Sequence, residues 1–312
     1  MKIKKPNFWD YKRPNFLSFI LLPLTLPLII NNYLIYKKRK KINMNIKNIC
    51  IGNIYVGGTA KTPLSIKISQ ILNKLNFKTA IIKKFYPDQV DEQKIITHKS
   101  KLYCYNKRID ALHEAIKENI DIAIFDDGLQ DRTINYDLKF VCFNNLTWIG
   151  NSFLIPAGPL REKIDSLKRF DVVFLNGNEE NILVLKETIK KINPNIKIFE
   201  TYYQPINIDQ FNNKDKFLIF SGIGNPDTFK KTLLKNNFNI IKEIKFPDHH
   251  QYTQKDIDKI ILNAKNLDAK ILTTEKDYVK LDFNNSNKIN FLEVEVVIKK
   301  ENDLINFIKS SI

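Results

Sequence analysis

Six consecutive residues, Gly57-Gly58-Thr59-Ala60-Lys61-Thr62, combine small flexible positions with an ammonium and a hydroxyl. They lie between a short apolar run, Ile49-Cys50-Ile51, and a helical pattern that begins at Pro63. A phosphate-binding loop needs that order of types. Backbone N–H groups and a helix N-terminus face the anion, the lysine reaches the terminal phosphates, and the threonine can ligate Mg²⁺. The expected ligand is ATP with Mg²⁺, and all six residues are candidate nucleotide contacts. The stretch departs from the strict pattern twice: Ala60 stands where glycine normally precedes the lysine, and Tyr55 stands at the pattern's first glycine. On pattern alone, an ordinary glycine turn stays open.

A second constellation follows downstream, where Ile122-Ala123-Ile124-Phe125 runs into Asp126-Asp127-Gly128. Apolar residues ending in two acids fit a strand that delivers carboxylates to the carboxyl edge of a sheet, beside a phosphate loop, where they can hold Mg²⁺. Adjacent acids at a strand end are more often a solvated turn. The upstream loop is what favours the metal reading.

The elements that must position these residues alternate short β-rich runs with helical patterns, as in parallel sheets covered by helices. Strands are expected over Asn48–Ile51, Thr79–Ile82, Asp121–Phe125, Lys139–Phe143 and Asp171–Leu175, with helices over Pro63–Leu75 and Ala111–Glu118. After a polar stretch from Gln204 to Asp215, a second set follows: strands Phe217–Phe220, Asn239–Lys245 and Ala269–Thr273, with helices from Pro226 and Gln254. The expected fold is α/β, with two α/β/α domains: a P-loop NTPase-like parallel-sheet domain over 42–205 and a smaller α/β domain over 206–312. Glycine is scarce, at nine in 312 residues, and eight of them cluster around 52–58, 128, 150–158 and 222–224, which marks those loops as candidate working loops.

Residues 1–41 read as a membrane-associating segment. Phe16 to Ile30 is apolar except for Ser18, Thr25, Pro23 and Pro27, and Lys37-Lys38-Arg39-Lys40-Lys41 follows. The run is short for a spanning helix unless extended to Tyr36. With Lys12 and Arg13 before it, a helix embedded in one leaflet with its flanks on anionic headgroups fits better. A buried core helix and a cleaved signal peptide are the competing readings; two prolines weigh against the first, and the lack of a small-residue cleavage site weighs against the second. The net charge of +16 attracts phosphates, nucleic acid or an anionic bilayer without choosing among them. No nucleic-acid module accompanies it, so no nucleic-acid partner is expected. Three scattered cysteines, Cys50, Cys104 and Cys142, form no metal or redox pair and suit a reducing cytosol.

In order along the chain stand Gly57-Gly58-Thr59-Ala60-Lys61-Thr62-Pro63, Asp126-Asp127-Gly128-Leu129-Gln130, Pro156-Ala157-Gly158-Pro159-Leu160-Arg161-Glu162, Gly222-Ile223-Gly224-Asn225-Pro226, Phe246-Pro247-Asp248-His249-His250 and Thr274-Glu275-Lys276-Asp277. This series resembles the tetraacyldisaccharide 4'-kinases, the lipid A 4'-kinases of Gram-negative envelopes, over nearly the whole chain. The resemblance implies ATP-dependent phosphorylation of the 4'-hydroxyl of an acylated disaccharide 1-phosphate to give lipid IVA, at the cytoplasmic face of the inner membrane. It implies two α/β domains with the active site in the cleft between them.

By motif matching, Lys61 and Thr62 serve the phosphates, and Thr62, Asp126, Asp127 and Glu162 the metal. Arg161 lies near phosphate and substrate, and Asp91 is the base with His249 as its partner. The sequence departs from the family pattern at Val90, where a glycine is expected before Asp91. It also departs at Lys83-Lys84-Phe85-Tyr86-Pro87, which replaces an arginine- and glycine-rich loop, and at Asp131. No role follows for Glu275, Lys276 and Asp277 beyond a helix cap. Two other functions fit parts of the sequence: a membrane-associated P-loop ATPase that switches a protein partner, and a catalytically weak lipid-binding relative.

Overall fold

The strand that leads into the phosphate loop, β1 (Lys47–Gly52), is buried at every residue after Lys47. So are β4 (Ile122–Asp126) and β6 (Val172–Asn176). Near-continuous apolar runs of this kind need cover on both faces, which parallel sheets obtain from crossover helices. The computed structural model describes residues 5–38, 45–131, 133–177, 181–212, 214–248, 250–281 and 287–312. The chain divides into two compact units, one of 1–84, 100–202 and 296–312, the other of 85–99 and 203–295.

In the first unit β1 is joined by β2 (Thr79–Lys84), β3 (Leu102–Tyr105), β4, β5 (Leu138–Asn144), β6, β7 (Lys197–Pro205) and β12 (Val294–Ile298), in the order β12-β7-β6-β5-β1-β4-β2-β3. From β7 to β3 each neighbouring pair is parallel. Helix α3 (Lys61–Lys74) shows how the helices seal the sheet: Leu64, Ile68, Ile71 and Leu72 recur at helical spacing and are buried. Helix α5 (Arg108–Lys117) buries Ala111, Leu112 and Ala115, and α6 (Ile182–Ile192) buries Ile182, Leu185 and Ile189. Cys50 and Cys142 are free and buried in their strands, where burial pushes both thiols far up.

The second unit carries a four-stranded parallel sheet of β8 (Lys216–Ser221), β9 (Asn239–Lys245), β10 (Lys270–Thr274) and β11 (Ile289–Leu292), in the order β11-β10-β8-β9. Its helices are α4 (Val90–Lys99), α7 (Pro226–Lys235), α8 (Gln254–Asn266) and α9 (Glu275–Tyr278). Helix α8 opens with a capping box between Thr253 and Asp256.

These compact units differ from the expected partition 1–41, 42–205 and 206–312 at three places. Residues 85–99 join the second unit because α4 docks on α9: Lys94 Nζ donates to the Val279 carbonyl at 2.9 Å and Lys99 Nζ to Glu275 at 2.9 Å. The last residues join the first unit because β12 extends the eight-stranded sheet and α10 (Glu301–Ser311) buries Leu304 and Ile308. The N-terminal segment also belongs to the first unit, where Trp9 is buried and donates to the Pro156 carbonyl at 3.0 Å.

That segment forms α1 (Phe16–Leu21), a 3₁₀ turn over Leu22–Thr25, and α2 (Leu26–Lys38). Pro23 sits at the start of the 3₁₀ turn, where its missing N–H removes no helix bond. From Phe16 to Leu34 the run is long and apolar enough to cross a membrane by length and composition. Its burial is inverted. Ser18 and Thr25 are buried, while Phe16 is 78% exposed and Phe19, Ile20, Leu24, Leu26 and Ile30 are more than half exposed. Residues 39–44, including part of the basic cluster, lie outside the described residues.

Candidate functional site

The loop from Asn53 to Ala60 leaves the buried end of β1 and enters α3 at Lys61. Ala60 takes φ 65°, ψ 22°, the left-handed conformation that glycine adopts without strain, so the departure from the pattern changes the residue and keeps the backbone. Gly57, at φ 150°, lies so close to the Tyr55 ring that a Cβ would meet it at 2.9 Å, whereas a Cβ on Gly58 would meet nothing within 4 Å. Tyr55 thus serves as a buried prop beneath the loop, packed with Leu154 and Leu160. Asn53 spans the loop, donating to Thr59 Oγ1 at 3.0 Å.

At the end of β4 the carboxylate of Asp126, fully buried, accepts from Thr62 Oγ1 at 2.8 Å and from Lys83 Nζ at 2.6 Å, both through Oδ2. Its Oδ1 is buried and has no hydrogen-bond partner. A buried carboxylate oxygen beside a hydroxyl is an oxygen donor set suited to Mg²⁺, so Thr62 and Asp126 fit that ion. Asp127 is placed differently. It has φ 58°, and its carboxylate accepts from Arg161 at 3.0 and 3.3 Å. Burial works against its ionisation, but Lys61 and Arg161 outweigh that and hold the carboxyl below the ordinary range.

Arg161 also donates to Gln130 Oε1 at 3.1 Å, Gln130 donates to Glu162 Oε1 at 3.2 Å, and Arg169 pairs with Glu162. The expected metal set is thus divided: Thr62 and Asp126 meet each other, while Asp127 and Glu162 are taken up by arginines. The loop carrying Arg161 is tied to the phosphate loop by backbone, Val56 N to Pro159 O at 2.9 Å and Arg161 N to Ile54 O at 2.7 Å. Asn32 of α2 reaches the Arg161 carbonyl at 3.1 Å.

The second unit holds Asp91 near the start of α4, buried, with Lys280 Nζ at 3.5 Å and Lys276 Nζ at 4.0 Å. Its expected partner His249 lies outside the described residues. The adjacent His250 stacks on Phe246 and contacts Asp256 at 3.2 Å.

The sequence model of the tetraacyldisaccharide-1-P 4'-kinase family matches residues 17–312. The chain belongs to this family. Two named tetraacyldisaccharide 4'-kinases are close relatives, from Pelagibacter ubique (52% identical over 306 residues, 98% of this chain and 97% of the other) and from Rickettsia typhi (34% identical, 98% of each chain). The crystal structure of LpxK from Aquifex aeolicus in complex with ATP superposes with a TM-score of 0.70 at 21% identity, covering 95% of this chain and 99% of that one, which establishes the fold.

For a 4'-kinase, three residues stand where the sequence did not place them. Lys83, at the end of β2 and 3% exposed, was visible only as part of an altered loop, yet it bonds Asp126. Gln130 ends the Asp126-Asp127-Gly128-Leu129-Gln130 motif and bridges Asn53 and Glu162. Arg108 donates to the Asp127 carbonyl at 2.6 Å from α5, a position with no motif to signal it.

Proposed function

We propose that the chain transfers the γ-phosphoryl group of ATP to the 4'-hydroxyl of a tetraacylated disaccharide 1-phosphate, giving lipid IVA in lipid A synthesis. The observation that carries this reading is the Thr62–Asp126 pair at the mouth of a loop whose backbone is already set for phosphate. Phosphoryl transfer asks mainly for positioning and charge stabilisation. Lys61 and the N–H groups of Gly57 to Thr62 receive the phosphates. Thr62 and Asp126 would hold Mg²⁺, which when bound would neutralise charge on the phosphate oxygens. Arg161, oriented by Asp127 and Gln130, presents its remaining N–H groups to phosphate. Asp91 takes the proton of the 4'-hydroxyl as its oxygen bonds to the γ-phosphorus; the bond from that phosphorus to the β-phosphate oxygen breaks and ADP leaves. His249 orients Asp91.

Purified protein given labelled ATP, Mg²⁺ and tetraacyldisaccharide 1-phosphate should yield a bis-phosphorylated lipid. Lys61→Ala should lower turnover by about 10²–10³-fold, the usual effect of removing one preorganised charge donor. Absence of product beside an active control enzyme rejects the reading.

We propose further that residues 16–34 lie in one leaflet of the inner membrane, facing the cytoplasm, with Lys12, Arg13 and the 37–41 cluster on anionic headgroups. The inverted burial supports this: the polar Ser18 packs against Asn151 at 2.9 Å and the apolar residues are left outside. Cosedimentation with vesicles containing anionic lipid should be lost on deletion of residues 1–36, and persistence of binding would refute the placement.

A further inference from the structure

The motif Thr274-Glu275-Lys276-Asp277 does more than start a helix. Asp277 is fully buried, and its carboxylate accepts from the Gly222 N–H at 2.9 Å, Thr274 Oγ1 at 2.8 Å and Lys280 Nζ at 2.9 Å. A cap needs only Thr274, whose hydroxyl accepts from the Asp277 N–H at 3.2 Å. Of the two remaining bonds, one fixes Lys280, whose side chain is 2% exposed, and from that seat its ammonium stands 3.5 Å from Asp91 Oδ2. Lys276 approaches the same oxygen at 4.0 Å while contacting Glu92 at 3.2 Å and Asp248 at 3.9 Å. Docking of α4 on α9 does not require this convergence, because Lys94 and Lys99 already clasp the two helices elsewhere.

We propose that Lys280, seated on Asp277, and Lys276 are positioning residues that hold the Asp91 carboxylate ionised and aimed for proton removal. The inference rests on the reading of Asp91 as the base. A buried carboxylate without a cation tends to keep its proton and cannot accept another. Two ammoniums at one oxygen oppose that tendency, and the Asp277 seat keeps the nearer one from turning away. Among the described residues, the charged groups facing Asp91 include Lys276, Lys280 and Asp277 from α9 and the turn after it, Glu92 from α4 itself, and Asp248 through Lys276.

The test is the pH dependence of kcat and KM for the full chain carrying Lys280→Met, Lys280→Arg, Lys276→Met or Asp91→Asn, with thermal unfolding of each. Lys280→Met should lower kcat by about 10–100-fold, a fraction of the range for general-base catalysis, with KM for ATP unchanged. It should also move the acidic limb of kcat to higher pH, because Asp91 loses a stabilising cation. Lys280→Arg should keep most of kcat. If Lys280→Met does not fold, Lys276→Met decides, with a smaller shift of the limb in the same direction. An inactive Asp91→Asn beside lysine variants with an unmoved limb overturns the positioning role and leaves the base. A fully active Asp91→Asn overturns the base itself, and the positioning role with it.

Discussion

The phosphate loop and the Asp91 cluster are both built from charges in buried surroundings, but they are finished to different degrees. Around the loop, the Asp126 carboxylate meets a single lysine, Lys83, and Gly58 faces open space. Around Asp91 the charges meet one another: Asp277 has three donors, and Lys276 contacts three carboxylates. Burial disfavours the charged form of Lys276, yet Glu92, Asp248 and Asp91 together raise it above the ordinary lysine range. The first region is preorganised by backbone shape and leaves capacity for a ligand. The second is preorganised by mutual neutralisation and holds a single group in place.

Lys83 is where that contrast is most exposed to experiment, because it is a buried cation bonded directly to the Asp126 carboxylate. Its 2.6 Å pair with Asp126 is almost completely buried, at 4% and 0% side-chain exposure. Removing one partner of such a pair leaves an uncompensated charge, at a cost of about 3–5 kcal/mol. Lys83→Met should therefore unfold at a markedly lower temperature in a chelating buffer. Added Mg²⁺ should recover more stability in this variant than in the parent, since the ion replaces the lost cation on Asp126 and binding to the native state stabilises it by mass action. Calorimetry with and without Mg²⁺ reads both effects. An unchanged melting temperature in chelator would mean that Asp126 is as self-sufficient as Asp277, and the contrast would fail.

The two regions also differed in how far their sequence could be read. The phosphate loop and the acids at 126–127 are local motifs flanked by strands of apolar residues, so type, spacing and placement all pointed one way. The strands and helices that carry them, from β1 to β6 and α3, follow from the same alternation. Residue contacts set by pairing of distant elements were not legible. Lys83 looks like any lysine after a strand until β2 and β4 align in parallel and bring it to Asp126. Likewise, α4 reads as part of the first domain by chain order, and its packing on α9 groups it with the second unit. The place of the tail from β12 onward is hidden for the same reason: an added edge strand is a choice of partner, and its sequence does not name one.

Ala60 offers a smaller and finer test of the claim that backbone shape prepares the loop. At φ 65° an alanine Cβ crowds its own carbonyl, which costs roughly 1–2 kcal/mol relative to a right-handed residue. Glycine removes that strain but has more freedom to lose on folding, a penalty of about 0.5–1 kcal/mol. The balance predicts that Ala60→Gly stabilises the fold by up to about 1 kcal/mol, read as a higher denaturant midpoint with an unchanged slope. Nucleotide affinity should hardly move, because the Ala60 carbonyl already accepts from the Leu64 N–H at 3.0 Å and the α3 N-terminus is formed with alanine in place. A large gain in affinity without a gain in stability would instead mean that alanine leaves the loop outside its phosphate-ready shape, so that binding must first reorganise it.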